Sequence, residues 1–127
     1  MKLLLTLLIL VSTNIWSCNA GDMDPVTVDV RIDDGRTVLA ATNGLTLYTF
    51  DIDQDGVSGC FDQCLVTWPA LTTEEDTLAA PFGVHVRPDG VKQVTLDNSP
   101  LYFFIGDSME GDINGDGLGS VWHIITK

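Results

Sequence analysis

LYTFDIDQDGVSGCFDQCLVTWP, residues 47–69, is the stretch on which the reading of the fold turns. Leu47 to Phe50 is rich in aromatic and β-branched residues and sets Tyr48 and Phe50 two apart, which predicts a strand with both on one face. An acidic loop follows from Asp51 to Gly56, then Cys60 and Cys64 around three residues, then Trp68-Pro69. The same skeleton returns 54 residues later, where Tyr102, Phe104, Asp107 and Trp122 match Tyr48, Phe50, Asp53 and Trp68. Four matches of these types at one offset point to a duplicated unit.

Working outward, Val26 to Ile32 alternates apolar and polar residues as a half-buried strand does, and Asp33-Asp34-Gly35 supplies a turn. A second strand is predicted over 36–42, a type I′ turn at Asn43-Gly44, and a third strand over 45–50. The second half repeats the order: strands over 84–87, 91–96 and 100–105, with turns at Asp89-Gly90 and Asp97-Asn98. Two such meanders can cover each other's apolar faces, which neither could do alone. The expected fold is all-β, a small antiparallel sandwich or barrel built from two repeated three-strand meanders. Repeat 1 is placed at 26–71 and repeat 2 at 83–127. The segment 72–82 between them is either a solvated linker or a short helix capped by Thr72 or Thr73.

The start of the chain speaks for export. Residues 1–17, MKLLLTLLILVSTNIWS, have a basic residue at Lys2, an apolar run too short to span a bilayer, and then small polar residues, the plan of a signal peptide. Ile15-Trp16-Ser17-Cys18 resembles a bacterial lipobox, so Cys18 is the candidate lipidation site and 18–25 the anchor and linker. Cleavage after Ala20, giving a soluble periplasmic or secreted protein, is the rival. Either route leaves Cys60 and Cys64 as a pair, expected to be bonded in an oxidising compartment. Eighteen acidic residues against six basic ones give a formal charge of −12. That excludes nucleic acid as a partner and confines membrane association to the lipid anchor.

At this point the residues resemble a known family. The paired Tyr-x-Phe-x-x-Asp motifs, Cys60 and Cys64 before Trp68-Pro69, the segment RPDGVKQVTL, Pro100-Leu101-Tyr102 and GDINGDGLGSVWHI are similar to the bacterial lipoprotein family with a Yx(F/W/Y)xxD motif, the secreted repeat of unknown function. The resemblance implies an exported, often lipidated protein with paired repeats. It brings no established activity. Trp16 and the acid-rich loop at 51–55 depart from the family pattern.

Three sets of residues carry candidate chemistry. Asp51, Asp53, Asp55 and Asp62 occupy positions 1, 3, 5 and 12 of a calcium-type loop with Gly56 at position 6, and Asp112, Asn114 and Asp116 begin a second, whose twelfth position is His123. The first loop follows a strand, so it is not an EF-hand, and the two loops lie outside the 54-residue register. The alternative is a pair of turns in which Asp and Asn bond their own backbone. Tyr48, Phe50, Trp68, Tyr102, Phe104 and Trp122 are read as core, with Asp107, like Asp53, bonding a loop backbone or an aromatic donor. His85 and His123, with Met109 or a carboxylate, are the only candidates for a transition metal, and no His-x-His or Cys-His spacing supports one.

No nucleophile elbow, HExxH or phosphate loop is present. The reading is a non-enzymatic, lipid-anchored cell-envelope module with calcium-type loops, meeting an envelope protein or small ligand. The alternative is a redox-associated envelope protein using Cys60 and Cys64, a transition metal or haem.

Overall fold

The structure, a computed structural model, describes residues 26–127. The predicted leader at 1–17 and the anchor residue Cys18 lie outside the described residues. Strands dominate, in three small antiparallel sheets that do not close into a barrel. β1 (Thr27–Arg31) pairs with β2 (Thr37–Ala41), and β4 (Phe82–Val86) pairs with β5 (Lys92–Leu96), which also pairs with β6 (Ser99–Pro100). The two long hairpins match at an offset of 55, since Arg31 faces Thr37 as Val86 faces Lys92.

The second predicted meander is present as the sheet β4-β5-β6, whereas the third strand of repeat 1 behaves differently from the meander predicted there. β3 (Tyr48–Phe50) pairs along its length with β7 (Trp122–Ile124), a strand of the other repeat, while the residues just before it meet β2 through the Ala40–Thr46 bridge and the bond from Leu47 N to Leu39 O. Only Gly44 of the Asn43-Gly44 turn has a positive φ, so this is not the type I′ turn expected there. Asn43 Oδ1 instead accepts the Leu45 N–H at 3.0 Å. A type I′ geometry does occur at Asp97-Asn98, where φ is 48° and 68°, and it sets the β5–β6 register.

Each repeat therefore finishes on the body of the other. Residues 121–127 run along repeat 1: Asp51 N donates to Val121 O at 2.8 Å, Leu39 N to Ile125 O at 2.9 Å and Lys127 N to Thr37 O at 3.0 Å. Residues 67–73 mirror this on repeat 2: Ile105 N donates to Thr67 O at 2.9 Å, Val94 N to Leu71 O at 2.8 Å and Thr73 N to Lys92 O at 3.0 Å. The backbone of Thr72 and Thr73 is thus drawn into extended pairing with β5, which is why no helix starts there. A short α-helix, α1 (Gln63–Thr67), begins inside the disulfide ring instead, after Asp62 at φ 54°.

Both repeats contribute to every part of the interior. Leu39, Ala41 and Leu47 of the first pack with Val94 and Leu101 of the second, with Leu71 and Ile125 from the exchanged tails alongside. A second cluster, Tyr48, Cys60, Trp68, Tyr102 and Trp122, lies where the two motifs meet. A third, Val30, Ile32, Val38 and Ala40, sits under repeat 1 and is closed by Ile113 and Ile124 of repeat 2. Burial of these side chains, at about 1.5–3 kcal/mol for each large one, is the main force holding the repeats together.

Candidate functional site

Tyr48 and Tyr102 face each other across an antiparallel bridge, exchanging N–H···O bonds of 2.8 and 3.0 Å. Paired residues of such a bridge project to the same face, so both phenols leave the backbone together and both are wholly buried. Tyr48 donates its hydroxyl to Asp107 Oδ2 at 2.6 Å, and Tyr102 donates to Asp53 Oδ2 at 2.7 Å. The second carboxylate oxygen of each aspartate closes its own loop: Asp53 Oδ1 accepts Gly59 N at 2.6 Å and Asp107 Oδ1 accepts Asn114 N at 2.9 Å. The motif tyrosine of each repeat is therefore fastened to the motif aspartate of the other.

Above the tyrosines the rings form a column. Trp68 and Trp122 stack with centroids 3.8 Å apart and planes within 5°, Phe50 stacks on Trp122 at 4.1 Å, and Phe104 lies on Trp68 at 4.5 Å. Tyr48 and Tyr102 meet the indoles edge to face, at 5.3 and 5.1 Å. Such contacts add about 0.5–1.5 kcal/mol per pair beyond the area they bury. Gly115 is required by this packing, because a Cβ there would come within 2.7 Å of the Trp68 ring and 2.9 Å of Phe104. Its N–H donates to the Tyr48 hydroxyl at 3.1 Å. Burial, then the hydrogen bond to Asp107, raises the Tyr48 pKa far above that of a free phenol, and burial does the same to Tyr102, so both are neutral donors.

The two halves differ beside the fastening. Next to Tyr102 the guanidinium of Arg87, 4% exposed, donates through Nη1 to Ser58 Oγ and Gln93 Oε1, each at 2.7 Å, and through Nη2 to the carbonyl of Cys60. Ser58 Oγ lies 2.6 Å from the Tyr102 hydroxyl. A buried cation is thus joined to the Asp53 carboxylate through two hydroxyls, with the Phe61 ring 5.2 Å from the guanidinium carbon. At the offset of 55 the counterparts of Arg87, Gln93 and Ser58 are Ile32, Val38 and Ile113, and all three belong to the apolar cluster. Burial raises the Asp53 pKa, against the lowering effect of Gly59, Tyr102 and Arg87. Burial, and then Arg87, holds His85 below its ordinary value.

The remaining site residues are placed as follows. Cys60 and Cys64 are disulfide-bonded, with Cys60 fully buried in the aromatic cluster. Asp51 lies on the outside, 2.8 Å from His123 Nε2. Asp55 and Asp62 are exposed, both at positive φ. Asp112 Oδ2 accepts the N–H groups of Ser108 and Met109 at 3.0 and 3.1 Å, which lowers its pKa. Asn114 Nδ2 donates to Gly106 O at 3.3 Å, and Asp116 Oδ1 accepts Ile124 N at 3.2 Å. Among the described residues no three or more His, Cys, Asp or Glu side chains converge where they could hold a metal ion. A shallow crevice of about 180 Å³ lies over Arg87, between Phe61, Leu65 and Asp89.

Motif reading singled out the tyrosines, the aspartates and the tryptophans. It passed over Ser58, Arg87, Gln93 and Gly115. Arg87 and Gln93 lie within the RPDGVKQVTL segment, a signal that served only for resemblance.

The fold and the fastening together define a duplicated β-repeat protein whose motif residues join the copies. A family model described as a secreted repeat of unknown function matches the chain twice, over residues 30–72 and 83–126, one match on each structural repeat. The chain belongs to this family and is an exported protein. No curated protein and no solved structure matches it at a significant level.

Proposed function

We propose that this chain is a non-enzymatic module of the cell envelope, held to the membrane by lipid at Cys18, whose two repeats form one rigid body presenting acidic loops to a partner protein or small ligand. One observation carries the reading. The motif side chains that look most like catalytic machinery, Tyr48, Tyr102, Asp53 and Asp107, are consumed by reciprocal bonds between the repeats. Buried tyrosines that serve as neutral donors to carboxylates are fasteners, since neither group of the pair is left free to exchange protons with a substrate. The spacing of Asp53, Asn114, Asp112 and Asp116 finds its explanation in turn closure, because each bonds a backbone group of its own loop or of an adjoining strand.

The surplus of acid is left for the outside. With a formal charge of −12, the surface favours a partner of positive charge and an association that weakens as salt rises.

Detergent-phase partition of the protein from its native envelope, with the mass of the mature N-terminal peptide, tests the anchor. A lipid-modified peptide beginning at Cys18 in the detergent phase supports it. An unmodified peptide beginning at Gly21 in the aqueous phase refutes it.

A further inference from the structure

The outer edge of β4 is open. The bonds from Arg87 N to Val91 O, 2.8 Å, and from Asp97 N to Pro81 O, 2.9 Å, set the alternation of the β4–β5 ladder, so the odd positions from 81 to 87 bond toward β5. Phe82, Val84 and Val86 therefore turn their backbone groups the other way. β5 agrees, because Val94, opposite Val84, bonds to Leu71 and Leu101 on its far side. Phe82 N is taken by Ala79 O at 3.0 Å, and among the described residues no strand or bridge pairs with this edge. The N–H groups of Val84 and Val86 and the carbonyls of Phe82, Val84 and Val86 thus point away from the sheet with no strand to receive them.

The duplication supplies its own comparison. In repeat 1 the equivalent edge belongs to β1, and at the offset of 55 Thr27, Asp29 and Arg31 stand where Phe82, Val84 and Val86 stand in repeat 2. Charges along an open edge keep other strands off it. β1 carries two, Asp29 and Arg31, both exposed. β4 reads FGVHV, with no acid, lysine or arginine, and its Val86 is 60% exposed. One edge is guarded and its copy is not.

We propose that two copies of the chain associate through this edge, β4 against β4, antiparallel about a two-fold axis at Val84, so that two three-stranded sheets become one of six strands. The sequence of β4 is complementary to itself in that register. Val84 meets its counterpart and exchanges both backbone bonds with it, and each Val86 N–H meets the Phe82 carbonyl of the other copy. Both free donors of each copy are satisfied, and the donor already used at home, Phe82 N, is not needed. On one face Phe82 lies against Val86 and Val84 against Val84, apolar cross-strand pairs worth about 0.2–1 kcal/mol each. On the other face His85 lies opposite Gly83, which leaves room for the ring. The same arrangement on β1 would set Asp29 against Asp29, a like-charge pair that opposes it. Five residues from each copy make a small interface of the weak, reversible class. The acidic surplus of both bodies works against it, so salt favours the pair.

The test takes the mature chain from Gly21, which keeps every described residue, up to about 1 mM in low and in high salt, with mass read by sedimentation and amide exchange by nuclear magnetic resonance. The mass should double reversibly, and at lower protein concentration when salt is high. The Val84 and Val86 amides, quick to exchange in dilute solution, should become protected as the mass doubles, while those of Asp29 and Arg31 should not. Val84→Asp, which copies Asp29, and Val84→Lys should each be monomeric with the native near-ultraviolet circular dichroism. Mixed in equal amounts they should form the dimer again, because opposite charges then face each other on the axis. Val86→Lys, at an exposed position, should also be monomeric, and it carries the test if a change at Val84 unfolds the chain. A wild type that stays monomeric at about 1 mM in high salt overturns the proposal. So does a dimer that survives these substitutions or leaves Val84 and Val86 unprotected, or a pair of folded Val84 variants that do not associate when mixed.

Discussion

Tyr48 gives its hydroxyl hydrogen to Asp107, 59 positions along the chain and in the other repeat, at 2.6 Å. Tyr48→Phe removes the donor and leaves a buried oxygen of Asp107 unpaired, at a cost of about 1–3 kcal/mol. Tyr48→Phe combined with Asp107→Asn should cost less than the two single changes added, by about 0.5–3 kcal/mol of coupling. Urea unfolding of the three variants measures this, and strict additivity would refute the fastening.

Gly115→Ala places a methyl group against Trp68 and Phe104. Overpacking at this point should cost about 1–3 kcal/mol and disturb the Trp68–Trp122 stack. The change is read as a lower urea midpoint with altered tryptophan fluorescence. An unchanged spectrum would mean that the rings are not packed as described.

Arg87→Ile alone should destabilise strongly, by about 3 kcal/mol, because Ser58, Gln93 and the Cys60 carbonyl lose their common donor and Asp53 its buried counter-charge. The triple variant Arg87→Ile, Gln93→Val, Ser58→Ile copies the residues at the equivalent positions of the opposite repeats, Ile32, Val38 and Ile113. It should recover most of the loss, since an apolar replacement of a buried polar network is often close to neutral. Thermal melts of the single and triple variants decide it.

Asp53 and Asp112 should respond to acid in opposite senses. The Asp53 pKa is raised by burial, so its ionisation costs stability. Its contribution is most favourable below the unfolded value, near 3.8, and is lost as pH rises through the folded value. The Asp112 pKa is lowered by the Ser108 and Met109 N–H groups, so its contribution is full above 3.8 and is lost as pH falls through the folded value. Melting temperatures of the wild type relative to Asp53→Asn should therefore improve on acidification, while those relative to Asp112→Asn should decline. Parallel slopes would contradict the assignments.

Millimolar calcium added after chelation is expected to leave the melting temperature unchanged. The loop carboxylates of Asp53, Asp112 and Asp116 already bond backbone N–H groups, and Asp51 is paired with His123. A rise that scales with the logarithm of calcium concentration would instead identify a bound ion.

The duplication and the all-β class were legible because they are written in local pattern and in one repeated spacing. The bond between Cys60 and Cys64 was legible from pairing and compartment. Exchange of the tails was not. Trp122 to Ile124 is too short and too close to a glycine-rich loop to read as a strand, and its partner Tyr48 lies more than seventy residues away. Nor could the spacing of Tyr48 and Asp53 show that each would bond the other repeat's motif, since an aligned repeat predicts equivalence and is silent on who pairs with whom. Ser58, Arg87 and Gln93 form no motif by themselves. Their meaning comes from a fold that brings positions 58, 87 and 93 beside Tyr102.

Tails held by the opposite repeat also bear on survival among extracellular proteases. The segment from Glu74 to Ala80 is exposed and built largely of small and acidic residues, the kind of place where a chain is nicked. A cut there would end covalent continuity and little else. Each fragment would still grip the other's last strand, so a molecule in two pieces would keep the shape and chemistry of one in a single piece.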